Sequence, residues 1–362
     1  MRILHVITML DTGGAERLMV DLLPLLQEYD DVSVDLLLFN GVDTPFKREL
    51  LQKGVNIFEL GYVNDVESRW SVYNPLHIIK LKKYLGQYDI IHTHNTACQL
   101  YVPLAKFLFR EKVTLVSTEH NTNNRRRGMW WFKPIDRWMY KHYEEVVCIS
   151  EKARVSLENY IGQGEKLLTI NNGVYVQRFL RPIKNVSGQE EFIVTMVAGF
   201  RAEKDHETLL RAMTHLPANY HLRLVGRGVR EDVLKAMTRE IGLEDRVAFL
   251  GMRSDVPDIL EQSDVVVLSS HWEGLSLSSV EGMASGRPFI ASDVDGLREV
   301  VGGAGVLFPH GDDKSLAESI QRLCEKPAYY REVAEACQKR AQQYDISLMA
   351  DSYHKLYQTL LQ

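Results

Sequence analysis

Short runs of β-branched and apolar residues recur along the chain, separated by longer stretches whose apolar residues return every three or four positions. In the first half the runs are RILHVIT, VSVDLLLF, VNIFEL, IIHTH, VTLVSTEH and EVVCIS. In the second half they are FIVTMVAGF, YHLRLVG, VAFLG, VVVLSS, PFIASD and GVLFP. Several are almost continuously apolar, as strands buried on both faces are. The segments between them, GAERLMVDLLPLLQEY and KDHETLLRAMTHL for example, carry the helical period. Strand and helix alternate throughout, which predicts an α/β protein built on parallel, doubly wound sheets. At 362 residues the chain is too long for one ordinary core, so two domains are expected. The polar, aperiodic stretch FLRPIKNVSGQEEF, residues 179–192, is the seam, dividing an N-terminal domain over 1–180 from a C-terminal one over 181–344. The tail, 345–362, reads as a last amphipathic helix.

Composition narrows the picture by exclusion. A net charge of −5 argues against a nucleic-acid partner, which would call for a basic surplus. The cysteines, at 98, 148, 324 and 337, form no close pair, so neither a zinc site nor a disulfide framework is expected. Free thiols in a reducing, cytoplasmic setting fit that spacing. The opening MRILHVITML resembles a leader only faintly. His5 and Thr8 interrupt it and no small-residue cleavage site follows, so a buried first strand is expected. No apolar stretch approaches the ~20 residues that span a bilayer.

Ligands of open parallel sheets bind beyond the carboxyl ends of the strands. Two such domains facing one another would place a cleft between those edges. After the first strand stand Gly13 and Gly14 with Glu16 close behind. They would let backbone amides approach an anion at a helix N-terminus, or simply make a tight turn. His94 and His120 end two further strands, where histidines are more often structural. The HTH of residues 92–94 suggests a metal pair, but the two rings are expected on opposite faces with no carboxylate beside them, so metal is rejected there. Arg201 and Lys204, in AGFRAEKDHETLL, flank a turn into a helix and read either as a diphosphate clamp or as a solvated charged turn.

The stretch HWEGLSLSSVEGMASGRP, residues 271–288, lies between two apolar runs. Ser278 or Ser279 is expected to cap the helix carrying Glu281, and Gly286 to end it before Pro288. The Gly274–Ser276 loop would then deliver free amides suited to a phosphate. A carboxylate at Glu281 suits the vicinal hydroxyls of a ribose, and Glu273 would reach whatever lies beyond the phosphates. Glu281 as an ordinary first-turn acid is the plainer reading, and it leaves Glu273, Gly274 and the serines unexplained.

SSHWEGLSLSSVEGMASGRPFIASDVDGLREVV resembles the signature of the retaining glycosyltransferases of family 4, which have the GT-B fold. GGAER, NNGVYVQRF, LVGRG and FLGMRSDVPDIL follow the same family in order, so the resemblance covers nearly the whole chain. It implies two Rossmann-like domains facing across a cleft, with the last helix crossing back to the first. It implies a nucleotide-diphosphate-sugar donor in the second domain, an acceptor in the first, retention of configuration, and neither metal nor cofactor. Carried over residue by residue, Glu281 would hold the ribose and Glu273 the donor-sugar hydroxyls. The amides of Ser276, Leu277 and Ser278, beside Gly274, would contact phosphate and sugar. Lys204 would bind the diphosphate with Gly14 close to it, and the backbone of Met252 and Arg253 would read the base. His120 matches the family's active-site histidine. UDP is the expected nucleotide.

The sequence departs from the pattern in places. The family usually has Arg where Gly199 stands, a role that Arg201 would take over. Tyr175 stands where Asp is common, and Ser278 where Pro often is. Asp293 and Asp295 form a DxD-like pair that lacks the context of the metal motif of another glycosyltransferase fold. No side chain is an evident covalent nucleophile. A sugar-nucleotide epimerase of the same fold and a non-catalytic nucleotide-sugar-binding subunit are the alternatives. The first lacks its usual carboxylates in the first domain, and the intact Glu273, Lys204, Glu281 and His120 argue against the second.

RRRGMWWFKPIDRWMYKH, residues 125–142, holds three of the five tryptophans and a basic surplus. Arg125, Arg126, Arg127, Trp130 and Lys133 would form a peripheral patch against an anionic membrane, as suits a lipid-linked or other saccharide acceptor at the inner face. Alternatively the tryptophans, Trp131 and Trp138 in particular, are core residues and the arginines are merely solvated.

Overall fold

A computed structural model describes residues 1–11, 13–61, 72–120, 125–162 and 166–362, the side chains of Arg125 and Arg126 excepted. Met1–Gly173 together with Ile346–Gln362 form one compact unit, and Val174–Asp345 form another.

The first unit is built on β1 (Arg2–Ile7), β2 (Ser33–Leu38), β3 (Asn56–Glu59), β4 (Ile90–His94), β5 (Thr114–Glu119), β6 (Glu145–Cys148) and β7 (Leu167–Thr169). Among the described residues they make one parallel sheet in the order β3-β2-β1-β4-β5-β6-β7. The helices between them are α1 (Gly14–Gln27), α2 (Pro45–Gln52), α3 (Leu76–Leu85), α4 (Thr96–Phe109), α5 (Lys133–Lys141) and α6 (Glu151–Ile161). Side chains alternate across each strand, so the unit has two cores. Leu4, Val6, Ile91 and Leu115 face Ala97, Val102 and Met139. Ile3, Ile7, Ile90 and Val116 face Leu18, Leu22 and the last helix of the chain. Six of these strands stand where the apolar runs put them. β7 was not foreseen, because three half-exposed residues at a sheet edge carry no readable period.

The second unit contains α7 (Val176–Phe179), β8 (Phe192–Val197), α8 (His206–His215), β9 (Tyr220–Val225), α9 (Glu231–Glu240), β10 (Val247–Gly251), α10 (Val256–Glu261) and β11 (Val265–Leu268). It continues through α11 (Leu277–Ala284), β12 (Phe289–Ser292), α12 (Leu297–Val301), β13 (Val306–Phe308), α13 (Asp313–Glu325) and α14 (Pro327–Ala341). Its parallel sheet runs β10-β9-β8-β11-β12-β13, so strand order reverses between β8 and β11. The chain closes with α15 (Ile346–Leu361), which belongs to the first unit and buries Ile346, Met349, Tyr353 and Tyr357 in its core.

The division expected at residue 180 falls instead between Gly173 and Val174. The polar seam is bound along the second unit. Val174 N–H donates to Tyr344 O, Phe179 and Val186 enter that core, and Lys184 Nζ reaches the buried Asp264 carboxylate at 2.6 Å. A few apolar anchors and one buried acid hold a stretch whose average composition reads as linker.

Candidate functional site

The carboxyl ends of β8 and β11 flank the point where strand order reverses, the usual ligand position of an open α/β sheet. Three bonds of 2.8 Å or less join the loops that leave them. Ser269 Oγ donates to Asp205 O at 2.8 Å, His271 N–H donates to Glu203 O at 2.8 Å, and Lys204 Nζ donates to Glu273 Oε1 at 2.6 Å. Ser270 Oγ donates to the same Glu273 oxygen at 2.6 Å, while Oε2 has no partner among the described residues. The Lys204 and Glu273 side chains retain 20% and 9% of their exposure, so the pair is shielded yet reachable. Asp205 holds a left-handed backbone (φ 46°), uncommon for a non-glycine residue, and its carboxylate caps α8 through Thr208. That turn sets where Lys204 stands.

The helix carrying Glu281 begins earlier than expected. Its N-cap is Ser276, not Ser278 or Ser279, and it ends at Ala284 with Gly286 beyond the cap. Ser276 Oγ bonds Ser278 Oγ at 3.1 Å, and Ser279 Oγ donates to Ser276 O at 2.7 Å, so neither hydroxyl caps an amide. No side chain caps α11, and the Leu277 and Ser278 amides are among those an α-helix leaves unpaired. With the positive end of the helix dipole, they can receive an anion directly beside Glu273 and Gly274. Glu281 lies one turn in and is partly buried.

Other site residues lie apart from this pair. The Arg201 side chain is 67% exposed and only approaches Glu203, at 3.9 Å, so it is not directed at Lys204. Met252 and Arg253 follow the edge strand β10; Met252 is exposed and Arg253 is held by Asp255 through two bonds of 2.7 and 2.5 Å. Gly14 opens α1 in the first unit, with open space where a Cβ would stand. Asp293 and Asp295 are both engaged by Arg298, at 2.6 and 3.4 Å.

One functional position was missed. Gly296 has φ +48°, and a Cβ there would collide with the carbonyls of Glu273 and Gly274. The glycine of SDVDG thus supports the loop that carries Glu273. Its signal in the sequence is a glycine directly after a DxD-like pair, where a positive-φ turn is readable but its distant contact is not.

In the first unit, a cavity of about 600 Å³ lies at the ends of β1, β4 and β5, lined by Thr8, Asn95, Gln99, Thr118, Glu119 and His120 among others. Burial lowers the His120 pKa to about 4, so the ring is neutral at pH 7. The expectation that His92 and His94 point to opposite faces was wrong, because residues two apart on a strand share a face. With His5 of β1 they form a cluster whose ligand atoms lie within 4.8 Å of one another. Yet each of the three uses both ring nitrogens in hydrogen bonds, to His94 and Tyr357, to Tyr357 and Thr118, and to His120 and His5.

The basic patch is partly overturned. The Arg127 side chain is only 5% exposed, sits 3.4 Å from the buried Glu119 carboxylate and lies over the Tyr160 ring, so it is structural. Trp130 is 86% exposed, and Trp131, expected in the alternative reading to be core, is 50% exposed. Lys133 stacks over Tyr160, while Trp138 packs on Phe107 and His142. The side chains of Arg125 and Arg126 lie outside the described residues. All four cysteines are buried and unpaired, and no helix among the described residues is long and apolar enough to cross a membrane.

Two family models match the chain in succession, Glycosyltransferase Family 4 over residues 12–178 and Glycosyl transferases group 1 over residues 178–344. Bacillus subtilis EpsD is 27% identical over 328 residues, covering 82% of this chain and 86% of that protein. The UDP-Gal:α-D-GlcNAc-diphosphoundecaprenol α-1,3-galactosyltransferase of Escherichia coli is 26% identical, covering 66% of this chain and 64% of its own length. Anabaena HepE, solved in complex with UDP, superposes with a TM-score of 0.84 at 22% identity, covering 99% of this chain and 100% of that one. Two Rossmann-like units, a binding edge at the strand reversal and both family models together make this chain a glycosyltransferase of family 4, with the group 1 domain in its second half.

Proposed function

We propose that this enzyme transfers a sugar, with retention and without a metal, from a UDP-sugar to a hydroxyl of a saccharide or lipid-linked acceptor in cell-surface polysaccharide synthesis. The observation that carries this reading is the Lys204–Glu273 pair beside the uncapped N-terminus of α11. A cation and free amides suit a diphosphate, and the open Oε2 of Glu273 suits sugar hydroxyls. In this reading Glu281 takes the ribose, and the backbone at Met252 and Arg253 takes the base. Similarity to the Escherichia coli galactosyltransferase and to the UDP-bound fold of HepE supports the donor class.

In the reaction the acceptor oxygen bonds the anomeric carbon as the bond to the terminal phosphate oxygen breaks. The electron pair goes to that phosphate and the acceptor proton follows it from the same face. Lys204 and the Leu277 and Ser278 amides stabilise the charge that grows on the leaving group. His120 takes a place beside the transferred sugar. Calorimetry with UDP, GDP and ADP tests the nucleotide site, and failure of all three to bind would refute it. Full turnover in excess EDTA is expected, as is a product whose anomeric coupling constant reports the same configuration as the donor.

The acceptor side includes a membrane contact at the cytoplasmic face, made by the exposed Trp130, with Lys133, over the Tyr160 ring, three residues further along the chain. Sedimentation with anionic vesicles at low salt tests it, and protein left in the supernatant would refute it.

A further inference from the structure

We propose that Tyr353 and Tyr357 of the C-terminal helix set the tautomer of His120 through a chain of buried hydrogen bonds, so that His120 presents Nδ1–H, a donor, toward the cavity at the end of β5. The proposal rests on the reading of His120 as an active-site group, and it assigns positioning roles to His5, His92, His94, Thr118 and the two tyrosines.

The chain is continuous. Tyr353 OH lies 3.0 Å from Thr118 Oγ1, which lies 2.7 Å from His92 Nε2. His92 Nδ1 is 2.6 Å from Tyr357 OH, and Tyr357 OH is 3.3 Å from His5 Nε2. His5 Nδ1 is 3.0 Å from His94 Nε2, and His94 Nδ1 is 3.0 Å from His120 Nε2. All the linking residues are on the sheet face that α15 covers, and His5, His92, His94, Thr118, Tyr353 and Tyr357 are each at most 1% exposed.

A neutral imidazole has one N–H and one lone pair, and a hydroxyl has one hydrogen. The direction of one link therefore dictates the next. Burial keeps the rings neutral, with His5 lowered to about 3, His120 to about 4, and His92 and His94 well below the usual histidine range. Thr118 Oγ1 is the one hydrogen-bond partner of the Tyr353 hydroxyl among the described residues. If the Tyr353 hydrogen points to Thr118, every link is made. Thr118 donates to His92 Nε2, His92 Nδ1–H to Tyr357, Tyr357 to His5 Nε2, His5 Nδ1–H to His94 Nε2, and His94 Nδ1–H to His120 Nε2. His120 must then carry its own hydrogen on Nδ1, which has no partner among the described residues. In the reverse direction the same bonds form, but the buried Tyr353 hydrogen is stranded, which disfavours that direction by about fivefold or more. The asymmetry lies at the α15 end, and it is read out at the cavity.

The test is a long-range proton–nitrogen correlation spectrum of the full chain labelled with ¹⁵N-histidine at neutral pH, with His120 assigned by its loss in His120→Gln. The expected wild-type result is a single His120 tautomer protonated on Nδ1. Thr118→Val removes the link between the tyrosine and His92 with little change in shape. His92 Nε2 is then unpartnered in either direction, so the variant is expected to bring the Nε2–H form of His120 to a comparable population, a change of about fivefold or more in the ratio of the two forms. Tyr353→Phe leaves the Thr118 hydroxyl donating to His92, with its own hydrogen stranded in the reverse direction, and is expected to keep the Nδ1–H form. A wild-type His120 protonated on Nε2 would overturn the proposal, as would an unchanged tautomer in Thr118→Val. Should Thr118→Val fold poorly, Thr118→Ala decides in its place. Adding UDP-glucose to the labelled wild type is then expected to move the His120 signals. Signals that stay put would defeat the active-site reading of His120 while leaving the tautomer result standing.

Discussion

Lowering the pH should unfold the first unit from its histidine cluster outward. His5 has a pKa of about 3 and His120 about 4, against 6.5 when solvated, because burial penalises their charged forms. The unfolded chain therefore binds more protons than the folded one below pH 6.5, and stability is complete above that value and lost as pH falls toward the folded values. At pH 5 each of these two groups costs roughly 2 kcal/mol by that linkage, so the pair costs about 4 kcal/mol. His92 and His94 are shifted the same way and add to the loss. A domain holds only about 5–15 kcal/mol in total, so the sum is a large part of the whole. In the second unit His206 is lowered to about 4, also chiefly by burial, and the effect there should be smaller. Hydrogen exchange resolved by peptide between pH 7.5 and 5 measures this. Protection should fall in β1, β4, β5 and α15 well before it falls in β8 and β11. If protection in the first unit changed by less than about 1 kcal/mol over that range, the histidines would not be buried neutral and the argument would fail.

Lys204→Ala should weaken UDP binding by about 10- to 150-fold in calorimetry, the loss of one charge-assisted hydrogen bond. Glu273→Gln should lower turnover more than UDP affinity, since Lys204 and the helix amides remain for the phosphates, and an equal loss in both would contradict that division. Gly296→Ala should cost about 1–3 kcal/mol in urea unfolding and depress turnover together with stability, because the new Cβ displaces the Glu273 and Gly274 carbonyls. Trp130→Ala should halve or better the fraction of protein that sediments with anionic vesicles, without shifting the melting temperature, because that ring is 86% exposed.

The sheets were legible because strands buried on both faces write themselves as unbroken apolar runs, and α/β alternation leaves little choice of topology. What local pattern could not supply was register between distant segments. The contact of Lys204 with Glu273 follows only once β8 and β11 are known to be neighbours. Arg127 reads as a surface charge because its partner, the buried Glu119 at the end of β5, lies eight residues away across a segment with no period that would bring the two together. The histidine cluster was within reach of period-two counting. His5 shares parity with Ile3 and Ile7, and His92 and His94 with Ile90, all on the α15 face. Only the tyrosines that complete it, some 350 residues from His5 along the chain, needed the fold.

A shielded ion pair in the proposed donor site looks at first like an obstacle to a charged ligand. The cost of breaking it would count against the donor, because removing either partner leaves the other charge unbalanced in a partly dry setting. The geometry avoids that cost. An ammonium has three hydrogens, and Glu273 uses one of those on Lys204, leaving two for phosphate oxygens. Glu273 in turn receives Lys204 and Ser270 on one oxygen and keeps the other open for hydroxyls. Each member can take its part of a sugar diphosphate without leaving the other. The pair is thus better understood as fixing two side chains in place before the ligand arrives, so that less freedom remains to be lost on binding. Gly296 below the loop and Asp205 at its strained turn hold the same arrangement from the backbone side, which is why a single methyl group at 296 should be felt at the anomeric centre.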